Sequence, residues 1–343
     1  MSDIGRGAAI FGCAGPVLLP QERAFFRDCA PFGVILFARN VEDPTQLRRL
    51  THDLRDAVGH HAPILVDQEG GRVQRLRAPH WREWTPPLDF VQAAGPNAAR
   101  AMHLRYRLIA RELLSVGIDA NCAPVGDLIT PTTHPFLKNR CYGSDPAQVS
   151  AIALAVARAH LAEGVLPVAK HMPGHGRTTV DAHHDLPTVT APRDQLETQD
   201  FAPFRALKHL PMAMTGHLIF PAYDAQRPAT QSPVMINLIR TDIGFQGLLM
   251  TDDLNMNALS GTLAARTAAS MAAGCDLALH CKGDLSEMQQ VAAAAGDMRP
   301  ETQTRARAAL AARQTPDPVD IAALQAELSA MMAGPILTDT DHG

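Results

Sequence analysis

The chain has 343 residues, with 31 Lys and Arg against 35 Asp and Glu, for a formal net charge of −4. That length suits one generous (β/α)8 barrel or two smaller domains, and the near balance of charge excludes the footprint of a nucleic-acid or anionic-membrane binder. The six cysteines form no Cys-x-x-Cys pair, no stretch approaches the ~18 apolar residues that span a bilayer, and the apolar start is broken by glycines, so free thiols and a cytoplasmic setting are expected.

Strand-like and helix-like stretches then alternate along the chain. Ala8–Gly12 reads as a first strand and Gln21–Cys29 as the helix after it. Gly33–Ala38 is a β-branched, apolar strand, and Pro44–Val58 a helix with Pro in its first turn and Leu47, Leu50, Leu54 and Val58 on one face. Pro63–Asp67 is a third strand that runs into Gln68-Glu69-Gly70-Gly71-Arg72-Val73-Gln74-Arg75. Asn97–Ser115 is helical, Gly117–Pro124 contains a fourth strand and its exit, and Asp145-Pro146 opens a long helix to Glu163. Gly164–Ala169 is a fifth strand and Arg193–Lys208 a helix. Pro211–Thr215, Gly247–Met250 and Asp276–His280 complete eight strands, with helices over Thr262–Ala273, Leu285–Ala295 and Glu301–Ala312.

Eight strands with helical crossovers fit a closed (β/α)8 barrel of TIM type, and no Gly-x-Gly-x-x-Gly follows any strand to favour a dinucleotide-binding sheet. Without a composition shift or linker, residues 1–335 are expected to form one domain, with residues 336–343 as a C-terminal tail.

Polar side chains gather where the strands end. Asp67 and Arg75 follow the third strand, Arg140 lies in the loop after the fourth, and Lys170, His171, Asp181 and His183 follow the fifth. Asp252 ends the seventh strand, where a carboxylate in apolar surroundings is costly unless paired or used. A closed barrel brings these loops to one mouth. By strand alternation only one of Asp252 and Asp253 faces that mouth, which makes Asp252 the candidate nucleophile, while either Asp could instead cap the following helix or pair with Lys or Arg, the more so Asp253. Asp181 and His183 have the composition of a carboxylate-held imidazole, able to give and take a proton near neutrality. His171, His175, His183 and His184 offer metal ligands instead, but without the spacing of a helical zinc motif.

Val66-Asp-Gln-Glu-Gly-Gly-Arg-Val-Gln-Arg75, Lys170-His-Met-Pro-Gly-His-Gly176, Asp181-Ala-His183 and Thr251-Asp-Asp-Leu-Asn-Met256 together resemble the family 3 glycoside hydrolases. The similarity is closest to the single-domain bacterial β-N-acetylglucosaminidases of peptidoglycan recycling and runs along nearly the whole chain. It implies a barrel and a retaining double displacement. The expected substrate is a terminal β-linked N-acetylglucosamine on muropeptide or anhydromuropeptide fragments such as GlcNAc-anhydroMurNAc. Carried over by motif, Asp252 would be the nucleophile, His183 the acid/base and Asp181 its partner, while Asp67, Arg75, Arg140, Lys170 and His171 would bind the sugar. No metal or organic cofactor is required. Met172, Ala182 and Thr251 depart from the usual family residues. A β-N-acetylglucosaminide phosphorylase and a β-glucosidase of the same family are the alternatives, and a catalytically silent sugar-binding barrel is the rival from another class.

Overall fold

The short apolar runs of the sequence become eight parallel strands. They are β1 (Gly7–Phe11), β2 (Pro31–Leu36), β3 (Ile64–Val66), β4 (Ala120–Asn121), β5 (Leu166–Met172), β6 (Met212–Thr215), β7 (Leu248–Asp253) and β8 (Leu277–His280). They pair in chain order and close through β8 on β1, with Ile10 opposite Leu279. The structure is a computed structural model and describes residues 3–180, 182 and 185–333.

Alternate side chains point to opposite faces of the sheet and fill two separate buried layers. Ile10, Leu65, Val168, Met212, Met250 and Leu279 fill the barrel interior. Phe11, Leu36, Val66, Ala169 and Leu249 face outward and meet the helices. The helix Pro44–Val58 shows how such a contact is encoded. Asp43 accepts the N–H groups of Thr45 and Gln46 at 2.7 and 2.9 Å, and Gly59, at φ 76°, ends the helix. Leu47, Leu50, Leu54 and Val58, at helical spacing, are buried against the sheet. Loss of the Asp43 cap costs about 1 kcal/mol, whereas truncation of Leu50 or Leu54 costs about 2–5 kcal/mol.

Several elements depart from the sequence expectation, and helices over Pro87–Ala94 and Pro233–Thr241 form where none was expected. β5 extends through Met172, so Lys170 and His171 are strand residues and the loop begins after them. The stretch expected as one helix over Arg193–Lys208 divides into Arg193–Gln195, a wide turn over Leu196–Asp200, and Ala202–Ala206. Pro203 has no N–H to continue the ladder, and the Asp200 side chain turns aside to Arg177 at 2.8 Å. Finally, Ile321–Met332 is a helix capped by Asp320 at 2.8 and 3.2 Å, beyond the last helix expected from the sequence. Its Leu328 packs toward the helix Ala98–Leu114, and Glu327 pairs with Arg100. The prolines at 316 and 318 obscure this helix in the sequence. The expected tail, 336–343, lies outside the described residues, and among the described residues no helix is long and apolar enough to cross a membrane.

Candidate active site

The carboxyl ends of the strands surround a cavity of about 320 Å³. Along β7, Leu248 and Met250 face the barrel interior, so Asp252, next in that alternation, points into the cavity. The pairing of β7 with β8 shifts register between Met250 and Asp253. There the Thr251 hydroxyl accepts the Leu279 N–H at 2.9 Å, filling the gap in the ladder. A second shift lies between Ala169 and Met172, and both Lys170 and His171 line the cavity. Irregularities of this kind re-aim side chains at barrel rims.

One wall is a network of buried charges. Asp67 accepts Lys170 Nζ at 2.8 Å and Arg75 Nη2 at 3.1 Å. Glu69, fully buried, takes Lys170 Nζ at 2.6 Å and both Arg140 Nε and Nη2, at 2.9 and 2.8 Å. Burial alone would push both carboxyls up, but Lys170 and then Arg75 hold Asp67 well below the ordinary range, as Arg140 and Lys170 do for Glu69. Burial likewise opposes the Lys170 and Arg140 charges, and the same carboxylates raise both bases. The network therefore stays ionised at neutral pH, with donors and acceptors pre-aligned at the cavity wall.

Asp252 is half-buried and accepts the Asp253 N–H at 2.8 Å. Burial works against its ionisation, but His171, His217 and that N–H lower its pKa on balance, so it is a carboxylate at neutral pH. Asp253 turns away and accepts the N–H groups of Asn255 and Cys281 at 3.2 and 3.1 Å, pinning the turn after β7. His171 Nδ1 lies 2.7 Å from Asp127 Oδ2, and its Nε2 lies 3.5 Å from Arg140 Nη2. The His175 ring, 5.5 Å from that of His171, is pushed down to about 4 by burial and then by its neighbour, so it is neutral.

The structure thus brings Asp67, Arg75, Arg140, Lys170, His171 and Asp252 to one cavity. Asp181 and His183 lie outside the described residues, as does His184. Ala182, between the first two, is buried and lines the cavity. Glu69 and Asp127 are additions that the sequence reading passed over. Glu69 stands two residues beyond Asp67 and before two glycines, and Asp127 follows an apolar strand exit. Asp127 lies in the apolar run Pro124-Val-Gly-Asp-Leu-Ile129, a signal available in the sequence, whereas Glu69 has polar neighbours and only its burial in the fold singles it out. Among the described residues no group of three or more His, Cys, Asp or Glu side chains is arranged to hold a metal ion.

A (β/α)8 barrel whose mouth combines an inward carboxylate on β7 with a wall of ionised hydrogen-bonding side chains is the build of a barrel glycosidase. Residues 22–312 match the Glycosyl hydrolase family 3 N-terminal domain. The chain belongs to that family and is a glycoside hydrolase. It is 39% identical over 282 residues to a β-hexosaminidase of Alkalilimnicola ehrlichii, covering 80% of each chain. It is 34% identical over 289 residues to a β-hexosaminidase of Bordetella avium, covering 82% of each. Among solved structures, NagZ of Neisseria gonorrhoeae in complex with N-trifluoroacetyl-D-glucosamine superposes with a TM-score of 0.82 at 29% identity, over 97% of this chain and 98% of that one. A family 3 β-N-acetylglucosaminidase of a Paenibacillus strain matches 97% of this chain with a TM-score of 0.81 at 28% identity, and the present chain spans 63% of that longer protein.

Proposed function

We propose that the protein is a retaining exo-β-N-acetylglucosaminidase that releases terminal N-acetylglucosamine from muropeptide or anhydromuropeptide fragments during cytoplasmic peptidoglycan recycling. The observation that carries this reading is the position of Asp252, an ionised carboxylate aimed into the same cavity as the Asp67, Lys170 and Arg140 wall. The β-hexosaminidase relatives and the glucosamine-derivative complex of the gonococcal protein support the choice of sugar.

In this mechanism the terminal sugar binds with its hydroxyls on Asp67, Arg75, Arg140, Lys170 and His171. Salt-bridged donors and acceptors held before substrate arrives cost little reorganisation when charge develops at the anomeric centre. Asp252 attacks the anomeric carbon while His183, protonated and partnered by Asp181, donates its proton to the leaving oxygen. The bond to the leaving group breaks as the glycosyl ester forms. Neutral His183 then takes a proton from water, which attacks the same carbon and returns the Asp252 carboxylate. Ala182, which lies between Asp181 and His183 in the sequence, lines the same cavity as Asp252, which supports that role.

The test compares initial rates on an aryl β-N-acetylglucosaminide and the matching aryl β-glucoside, with and without phosphate, and follows product anomers by NMR. A strong preference for the N-acetyl sugar, a β-anomer formed first and no sugar 1-phosphate are expected. A preferred glucoside, an initial α-anomer or phosphate-dependent turnover would replace this reading.

A further inference from the structure

Asp127 lies behind the cavity wall and holds two residues that line it, His171 and His175. Its carboxylate is fully buried and both of its oxygens are committed. Oδ2 faces His171 Nδ1 at 2.7 Å. Oδ1 accepts the His175 N–H at 2.7 Å and, more weakly, the His171 N–H at 3.4 Å. Backbone amides can only donate, so Oδ1 must remain an acceptor. An ionised carboxylate at Oδ2 in turn requires a proton on Nδ1, and burial against ionisation is outweighed by the His171 and His175 contacts, which lower the Asp127 pKa.

The ring of His171 is therefore oriented with Nε2 toward the cavity. That nitrogen lies beside the Arg140 guanidinium, at 3.5 Å from Nη2, an arrangement that suits a lone pair rather than a second proton. The same Oδ1 contacts tie the end of β5 to the first turn of the loop after it, where Gly174 N–H donates to the His171 carbonyl at 2.8 Å.

We propose that Asp127 is a positioning residue that fixes His171 as the Nδ1-protonated tautomer, so that Nε2 accepts a hydrogen bond from a hydroxyl of the sugar bound beside Asp252. This rests on the sugar-hydrolase reading above for the identity of the donor, but the tautomer does not depend on which sugar is cleaved. The chemistry explains why the acid must be ionised. An Asn at position 127 would keep its oxygen on the His175 N–H and present its NH2 to Nδ1, forcing the ring proton onto Nε2. The acceptor at the cavity would become a donor.

Two measurements test this. NMR of the histidine ring nitrogens in the unmodified enzyme at neutral pH, with His171 assigned by its absence from the His171→Asn spectrum, should show Nδ1 protonated and Nε2 bare. A proton on Nε2, alone or together with Nδ1, overturns the proposal. Asp127→Asn should lower kcat/KM on the order of 10²-fold and move the proton to Nε2. In a His171→Asn background the same change should add less than about threefold, because residues that act as a unit are not additive. An equal loss in both backgrounds means that Asp127 acts only on the fold and overturns it. Should Asp127→Asn fail to fold, the tautomer of the unmodified enzyme still decides. Failure on the aryl N-acetylglucosaminide with the expected tautomer in place would instead reject the substrate assignment alone.

Discussion

Lys170 Nζ lies 2.6 Å from Glu69 Oε1, with the lysine side chain 2% exposed and the glutamate not exposed at all. Glu69 also clasps Arg140 with both oxygens, so a single buried carboxylate holds two of the cations that line the cavity. Asp67 is thereby shared between Lys170 and Arg75 at the cavity edge. Glu69 sets the positions of groups that line the cavity while itself lying behind them.

Glu69→Gln should therefore weaken both the fold and the site. Removing one partner of a buried ion network leaves uncompensated charge and costs about 3 kcal/mol. A denaturation midpoint and a KM on the aryl glycoside read the two effects. An unchanged midpoint together with an unchanged KM would show that the network is dispensable.

Asp252→Asn is expected to leave stability near wild type, since the side chain is half-buried and accepts the Asp253 N–H, which an amide oxygen can also accept. Activity should fall by about 10³-fold or more, as for loss of a covalent nucleophile. A fluorinated slow substrate should label the unmodified enzyme at Asp252, read by mass spectrometry of the peptide. Labelling elsewhere would move the nucleophile.

Gly176 sits where a Cβ would come 1.8 Å from the Leu128 carbonyl oxygen. Its own carbonyl accepts the Thr133 hydroxyl at 2.5 Å, and the Thr178 carbonyl accepts the His134 N–H at 2.9 Å, so the loops after β4 and β5 lie in close contact. Gly176→Ala must push them apart and displace the segment that leads to His183. A loss of kcat on the order of tenfold or more is expected from such misplacement, and wild-type kcat would detach that segment from the chemistry.

Acid should destabilise the protein in two stages. Burial pushes His160, His175 and His280 down to about 4 in the fold. Burial keeps His160 neutral against its Nδ1 contact with Val156 O at 2.9 Å, and Asn121 Nδ2, 3.0 Å from Nε2, donates to the ring's lone pair. Between about pH 6.5 and 4 the unfolded chain binds more protons at these rings, so stability falls as pH drops through that window. Asp67, Glu69, Asp127 and Asp252 have lowered pKa values, so their contribution is present above about pH 4 and is lost as pH falls through their folded values. Urea midpoints from pH 8 to 3 should show both stages, and His160→Asn should flatten the first. A flat profile down to about pH 4.5 would contradict the histidine assignment.

The barrel is legible in the sequence, because the alternation of apolar strands with capped amphipathic helices is a local property of neighbouring residues. Val58 follows Leu54 and Leu50 at helical spacing whatever the rest of the chain does. The sequence also placed Asp67, Lys170 and Asp252 at strand ends, since polar residues interrupt apolar runs there. Tertiary structure decided what those residues hold. Lys170 meets Asp67 across 103 positions, Arg140 meets Glu69 across 71, and His171 meets Asp127 across 44. Such pairings follow from barrel closure and from the register shifts in β5 and β7, which depend on the neighbouring strands and leave no periodic trace in one sequence. The helix Ile321–Met332 has the same origin, because its few apolar contacts acquire meaning only against the helix Ala98–Leu114.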